Sequence, residues 1–161
     1  MKEIKLTTKI RVYPIEECTE IEKKLIETAK DATKNAYAPY SHFKVGAAVL
    51  LEGGEIIPGN NQENAAYPSG LCAERIVVFY ANATHPHKKV NAIAIAAYHN
   101  GQFTKDVITP CGACRQVLLE VENRYKNPMK ILMYSADGVY VANSIQELLP
   151  LSFGDEMLQQ V

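Results

Sequence analysis

The chain has few cysteines, almost no net charge and no long apolar run. It carries four cysteines among 161 residues and a formal net charge of -1. Without a run of about 18 or more uncharged apolar residues, we expect no membrane-spanning helix and no membrane partner. The balanced charge argues against a surface that neutralises many phosphates, so we expect no nucleic-acid partner.

The N-terminus lacks the marks of a secretory signal. Charged and apolar residues alternate from Met1 to Leu6, with no apolar stretch ending at a small-residue cleavage site. We therefore expect a cytoplasmic protein, whose four cysteines serve as metal ligands or buried thiols and not as a disulfide framework. No repeat or low-complexity linker divides the chain, so one domain is expected over residues 1–161.

Hydrophobic patterning predicts strands first, then alternating helices and strands. Thr19 and Glu22 form a capping-box pattern that opens a helix, and apolar runs around Gly53-Gly54 predict a hairpin. This order predicts a three-layer α/β sandwich around a mixed sheet. The remaining predicted elements are strands at Ile4–Val12, Val90–Tyr98 and Ile131–Tyr134, and helices at Cys72–Asn82, Cys111–Asn123 and Ser144–Pro150.

Cys111 and Cys114 open a predicted helix after Pro110 and project from the same face of one turn. Alone, this pair is compatible with a redox dithiol, two buried thiols or a metal site. The positive end of a helix favours the thiolate, which is the form that ligates zinc. Cys72, with Glu74 two residues later, completes the three-cysteine form of the zinc-deaminase signature.

Three protein ligands would leave one tetrahedral position for water, whereas a structural zinc site is normally closed by a fourth residue. Cys18 is the remaining cysteine, but its place near the start of the first helix favours a buried or surface thiol. Three thiolates make a zinc-bound water a weaker acid, so a nearby cation should help. Arg75 is the candidate, with a solvated surface arginine as the alternative.

Five segments together resemble the small homotetrameric zinc-dependent cytidine deaminases. The resemblance runs from about residue 20 to the end of the chain, so residues 1–17 are read as an N-terminal extension. It implies a three-layer α/β/α sandwich around a mixed five-stranded sheet, a homotetramer and one Zn²⁺ per subunit. The segments are Tyr40–Ala48, Asn61–Ala65, Cys72–Arg75, Pro110–Gln116 and Glu147–Pro150.

The resemblance also implies roles for single residues. Glu74 would take a proton from zinc-activated water, deliver one to N3 of cytosine and help protonate the departing amino group. Asn61 and Glu63 would hydrogen-bond the ribose hydroxyls, and Phe43 would stack on the pyrimidine. The backbone of Ala73 would contact the base. Phe153 would enter a neighbouring subunit's active site, with a core anchor for the last helix as its alternative.

These features predict hydrolytic deamination of free cytidine and deoxycytidine to uridine and deoxyuridine with release of ammonia, a step of pyrimidine salvage. One alternative keeps the chemistry on another cytosine compound, such as blasticidin S or a base in RNA or DNA. A second alternative is a non-catalytic module in which zinc only stabilises the fold. Glu74 favours an enzyme, because a structural site needs no carboxylate beside an open position.

Overall fold

The computed structural model describes residues 1–158, which contain three α-helices and seven strands. The helices are α1 (Glu20–Ala32), α2 (Ala73–Thr84) and α3 (Gly112–Tyr125). The strands are β1 (Arg11–Tyr13), β2 (Lys44–Leu51), β3 (Ile56–Asn60), β4 (Val90–His99), β5 (Gln102–Phe103), β6 (Lys130–Ser135) and β7 (Gly138–Ala142). None of the helices within this range is long and apolar enough to cross a bilayer.

The strands form one mixed sheet with the order β1-β7-β6-β4-β2-β3, and β5 pairs with the end of β4. Among the strands of residues 1–158, only the neighbours β4 and β6 run parallel. The predicted α/β sandwich around a mixed sheet is confirmed, but the sheet of residues 1–158 has seven strands where five were expected. The two further strands are β5, too short to show a pattern, and β7, which directly follows the tight turn at Asp137.

The predicted strand at Ile4–Val12 is mostly unpaired. Only Arg11 to Tyr13 forms ladder pairs, with Val141 to Val139 of β7. The predicted helix ending at Pro150 is a single 3-10 turn over Ile145–Glu147, capped by the Ser144 hydroxyl. In both places a correct local pattern overestimates the element, because its length depends on the tertiary partner it finds.

Two separate apolar layers cover the sheet. On β2, Ala47, Val49 and Leu51 join the layer beneath α2 and α3, while Ala48 joins the layer beneath α1. This alternation follows from the period of two in a strand, whose successive side chains point to opposite faces. The structure therefore has three layers, with α1 on one face of the sheet and α2 and α3 on the other.

Two glycines let the helices approach the sheet closely. A Cβ at Gly46 would lie 2.0 Å from the carbonyl oxygen of Ala29 in α1. A Cβ at Gly59 would lie 2.9 Å from the Cβ of Val77 in α2. Any side chain at either position would push a helix outwards. Gly59 therefore determines how closely α2 packs against the sheet, and the first turn of α2 directly follows Cys72.

Candidate active site

Two helix starts bring three cysteines together on one face of the sheet. Cys72 is the N-cap of α2, Cys111 is the N-cap of α3, and Cys114 lies in the first turn of α3. The Sγ atoms of Cys72 and Cys111 are 4.0 Å apart, and those of Cys111 and Cys114 are 3.4 Å apart. All three sulfurs lie within 4.8 Å of one another and form the cysteine cluster.

The cysteine cluster fits a zinc ion. Two thiolates at a zinc–sulfur distance of about 2.3 Å in tetrahedral geometry are roughly 3.8 Å apart, close to the separations found here. All three cysteines are free thiols. Cys18 packs in the other apolar layer, beneath α1. Within the described range, the cluster has no further Cys, His, Asp or Glu ligand, which leaves room for one more coordinating group.

The surroundings of Cys72 favour its thiolate. Hydrogen bonding with the Cys114 thiol, assisted by the Arg75 guanidinium, lowers the pKa of Cys72 to about 5 although burial opposes this. The same hydrogen bond, together with burial, raises the pKa of Cys114. The Nη2 of Arg75 donates to the Cys72 sulfur at 3.6 Å. Arg75 therefore lies against a cysteine of the cluster as a neighbouring cation.

Glu74 lies in the first turn of α2, beside this cluster. Glu74 is buried, with only 5% of its surface exposed. Burial raises the pKa of the Glu74 carboxyl, and the negative charge of Cys72 acts in the same direction. A raised pKa makes the carboxylate a stronger base, which suits the proton transfers of general acid–base chemistry.

A cavity of about 500 Å³ opens next to Cys72 and Arg75. This volume is typical of a small-molecule site. The expected sugar-binding residues Asn61 and Glu63 both line it. The full lining consists of Tyr40, Ser41, Asn61, Gln62, Glu63, Asn64, Tyr67, Gly70, Leu71, Cys72 and Arg75.

The segment carrying Asn61 and Glu63 is held in place by backbone pairing on both sides. Gln62 exchanges two hydrogen bonds with Leu71, at 3.0 and 2.9 Å. The Glu63 N–H donates to the carbonyl of Tyr37 at 2.8 Å. Because Leu71 directly precedes Cys72, this pairing sets the wall of the cavity at a defined distance from the cysteine cluster.

The side chains of Asn61 and Glu63 are themselves anchored. Asn61 accepts from the Val45 N–H at 2.8 Å and donates to the Phe43 carbonyl at 2.9 Å. Glu63 accepts from the Ser41 hydroxyl and from the Tyr40 N–H, which together lower the pKa of its carboxyl. An amide has four hydrogen-bonding positions and a carboxylate about four lone pairs, so both keep capacity for a ligand.

The three other residues expected to contact the substrate do not line this cavity. The Phe43 ring packs against His99, with the ring centroids 5.4 Å apart, and does not line the cavity. Ala73 is fully buried as the first residue of α2. Phe153 is 57% exposed and lies outside the cavity of its own chain, with its carbonyl accepting from Gln116. Its side chain is therefore not a core anchor.

Seven of the cavity residues were not predicted from the sequence as site residues, and three of these seven carry a hydroxyl group. These are Ser41, which holds Glu63, and two tyrosines whose rings stand edge-on with centroids 6.3 Å apart, Tyr40 and Tyr67. Each tyrosine adjoins a proline, in Pro39-Tyr40 and Tyr67-Pro68. A proline next to an aromatic residue is typical of a loop, and functional residues often lie on loops. These two pairs could therefore have identified Tyr40 and Tyr67 as cavity residues.

The chain is similar in sequence to a known protein family and to individual proteins. Residues 19–126 match the family model of the cytidine and deoxycytidylate deaminase zinc-binding region. A cytidine deaminase of Halalkalibacterium halodurans is 40% identical over 132 residues, covering 82% of this chain and 93% of that protein. One from Sporosarcina psychrophila is 39% identical over 136 residues, covering 84% and 93%.

Solved structures of cytidine deaminases also resemble this chain in fold. The crystal structure of cytidine deaminase from Burkholderia pseudomallei has a TM-score of 0.70 at 40% identity, covering 84% of this chain and all of that one. Cytidine deaminase from Mycobacterium tuberculosis has a TM-score of 0.65 at 34% identity, covering 83% and 97%. At these identities the likeness concerns the sequence as well as the fold.

Proposed function

Because the chain belongs to the cytidine and deoxycytidylate deaminase family and is a cytidine deaminase, we propose that it acts on free nucleosides. Its substrates are cytidine and deoxycytidine, which it hydrolyses to uridine and deoxyuridine with release of ammonia, in pyrimidine salvage in the cytoplasm. The observation that carries this proposal is the buried Glu74 beside the cysteine cluster, next to a cavity lined by Asn61 and Glu63.

Cys72, Cys111 and Cys114 would hold one zinc ion per subunit, which would supply a Lewis acid that lowers the pKa of water. Glu74 takes a proton from the water that adds to C4 of the pyrimidine and delivers this proton to N3. It later passes the proton of the new C4 hydroxyl to the amino group, which leaves as ammonia. The raised pKa of its carboxyl suits this two-way transfer. Arg75 offsets part of the negative charge of the three thiolates through its contact with Cys72.

The cavity wall orients the nucleoside. Asn61 and Glu63 bind ribose hydroxyls with the hydrogen-bonding capacity that their anchors leave free. A site built to bond sugar hydroxyls discriminates strongly against free cytosine, which has no sugar, because its polar groups are then left unpaired. Phe43 stacks on the pyrimidine once its ring turns from His99, and the backbone of Ala73 contacts the base.

We also propose a single domain with residues 1–17 as an N-terminal extension, assembled as a homotetramer. Two aromatic side chains on the outer face of α2 are exposed, Phe79 at 47% and Tyr80 at 57%. Exposed aromatic clusters of this kind are typical of subunit interfaces. In the tetramer Phe153 enters a neighbour's cavity. The mass in solution, measured by light scattering, tests the assembly: a monomer at micromolar concentration would contradict it.

The catalytic role of Glu74 is tested by Glu74→Gln. General acid–base groups contribute roughly 100- to 10,000-fold, so turnover of cytidine, followed by the loss of cytosine absorbance, should fall by that factor. Zinc content should stay at one per subunit. Glu120→Gln, on the exposed face of α3, is the matched control and should retain full activity. Wild-type ammonia release from the Glu74→Gln protein would contradict the mechanism.

A further inference from the structure

The guanidinium of Arg115 makes three hydrogen bonds to two segments near the cysteine cluster. Its Nε donates to the Pro110 carbonyl at 2.8 Å. Its Nη1 donates to the Leu148 carbonyl at 2.7 Å. Its Nη2 donates to the Thr109 hydroxyl at 3.1 Å. All three acceptors are neutral, so the side chain acts as a geometric bridge and not as half of an ion pair.

The bridge joins two segments that are far apart in sequence. Pro110 is buried and directly precedes the metal-ligand candidate Cys111. Leu148 lies at the end of the 3-10 turn that follows β7. The next residue of α3, Gln116, donates to the Phe153 carbonyl at 2.8 Å. Two adjacent side chains of α3 therefore fasten the C-terminal segment, residues 148–153, at both of its ends.

The shape of the arginine side chain explains why this residue occupies the position. Its donors form a rigid planar fork, so bonds from Nε, Nη1 and Nη2 to separate acceptors fix the direction of each acceptor relative to the others. A lysine has three rotatable donors on a single nitrogen, so it would not fix the directions of three separate acceptors. Because Arg115 is the neighbour of Cys114, the same helical turn carries a candidate ligand and the bridge.

We infer that Arg115 is a positioning residue that couples the cysteine cluster to the C-terminal segment, so that metal affinity and the order of residues 148–153 depend on each other. The inference rests on the metal site of the proposed function, but not on its substrate or its chemistry. Partners that orient metal ligands from outside the coordination sphere typically change metal affinity by roughly 10- to 100-fold when they are removed.

The test compares Arg115→Lys with Arg124→Lys. Arg124 lies on the same helix, but its guanidinium approaches the Pro86 carbonyl at 3.4 Å, near the other end of α3. Cobalt(II) affinity is measured from thiolate-to-metal absorbance in competition with a chelator. We expect roughly tenfold weaker cobalt binding or more for Arg115→Lys. We expect wild-type affinity for Arg124→Lys.

The order of the C-terminal segment is measured separately. The chain has no tryptophan, so Leu151→Trp introduces a single emitter at a residue that is 77% exposed. We expect zinc to raise the fluorescence anisotropy of this reporter. When Arg115→Lys is added, the anisotropy should be lower and the response to zinc should disappear. Arg124→Lys added to the same reporter should change neither.

Unchanged cobalt affinity in Arg115→Lys overturns the inference, and so does a zinc response of the reporter that survives this substitution. Equal loss of affinity in Arg124→Lys also overturns it. If circular dichroism shows that Arg115→Lys does not fold, Thr109→Val removes one of the three acceptors and should weaken cobalt binding by a smaller factor. A protein that passes this test but deaminates no nucleoside refutes the proposed function and leaves the role of Arg115 standing.

Discussion

On the two faces of the sheet, the pKa values of cysteine and glutamate side chains are shifted in opposite directions. Beneath α1, burial raises the pKa of the Cys18 thiol, whereas on the other face the Cys114 thiol and Arg75 lower that of Cys72 to about 5. Glutamates differ in the reverse sense. Burial acts to raise the pKa of Glu22, but hydrogen bonds from Lys130 and Thr19 outweigh burial, so the pKa of Glu22 is lowered. At Glu74 burial prevails and the pKa is raised.

The contrast shows that convergent helix starts, and not residue type, make the reactive face. Cys72 and Glu74 lie at the start of α2, which has no side-chain cap and lies beside the start of α3, which has none either. Cys18 precedes a single helix whose start is already satisfied by a capping box between Thr19 and Glu22. A satisfied helix start stabilises the fold, whereas an unsatisfied one can bind a ligand.

The largest expected effect comes from exchanging sulfur for oxygen on the two faces. Cys72→Ser removes one of three ligands, so zinc content and cytidine turnover should both fall to background. Cys18→Ser is the matched control on the α1 face and should keep one zinc per subunit and full activity. Metal analysis with a turnover assay checks both. Zinc lost from Cys18→Ser, or kept in Cys72→Ser, would contradict the assignment.

The next effect concerns the cavity wall. Glu63→Gln removes the carboxylate that the Ser41 hydroxyl and the Tyr40 N–H hold against the cavity. If Glu63 binds a sugar hydroxyl in both ground and transition states, KM for cytidine should rise by roughly tenfold or more, with a smaller change in kcat. Steady-state kinetics decide this. An unchanged KM would remove Glu63 from the sugar site.

Two glycine substitutions test how stability and metal binding depend on close packing of a helix against each face of the sheet. Gly46→Ala and Gly59→Ala should each lower the free energy of unfolding by about 1–3 kcal/mol, because the added methyl group meets α1 or α2. Only Gly59→Ala displaces the helix that follows Cys72, so only this variant should also lose cobalt affinity. Urea unfolding and cobalt titration separate the two effects. Equal cobalt loss in both variants would argue against independent faces.

The smallest effect is a pH dependence on the α1 face. The pKa of Glu22 is lowered in the folded protein, so its contribution to stability is complete above its ordinary value of 4.5 and is lost as the pH falls through the folded value. Glu22→Gln should therefore show a shallower loss of stability in acid than the wild type. Urea unfolding followed by circular dichroism at several acid pH values measures this slope, and parallel slopes would contradict the prediction.

Local patterns in the sequence predict those parts of the molecule that local chemistry determines. The Thr19 and Glu22 capping box opens α1 as expected. The Gly53-Gly54 hairpin also forms, since both glycines adopt positive φ. Cys111 and Cys114 come together because they are three positions apart at the start of one helix. In each case, the decisive contact spans only a few residues.

Contacts over long sequence distances could not be predicted in the same way. The bond between Ser41 and Glu63 spans 22 residues, and that between Arg115 and Leu148 spans 33. No local pattern encodes either bond, because each forms only after the sheet has brought its loops together. The length of β1 has the same origin, since β7 decides where its pairing stops.

The most direct test of the account is a turnover assay with cytidine before and after zinc removal. The purified protein should convert cytidine to uridine with one ammonia released per cytidine consumed. Activity should vanish when a chelator strips the metal and return when one zinc per subunit is restored. Turnover that persists in the stripped protein, or none in the fully zinc-loaded protein, would contradict the claim that the cysteine cluster and Glu74 form a deaminase active site.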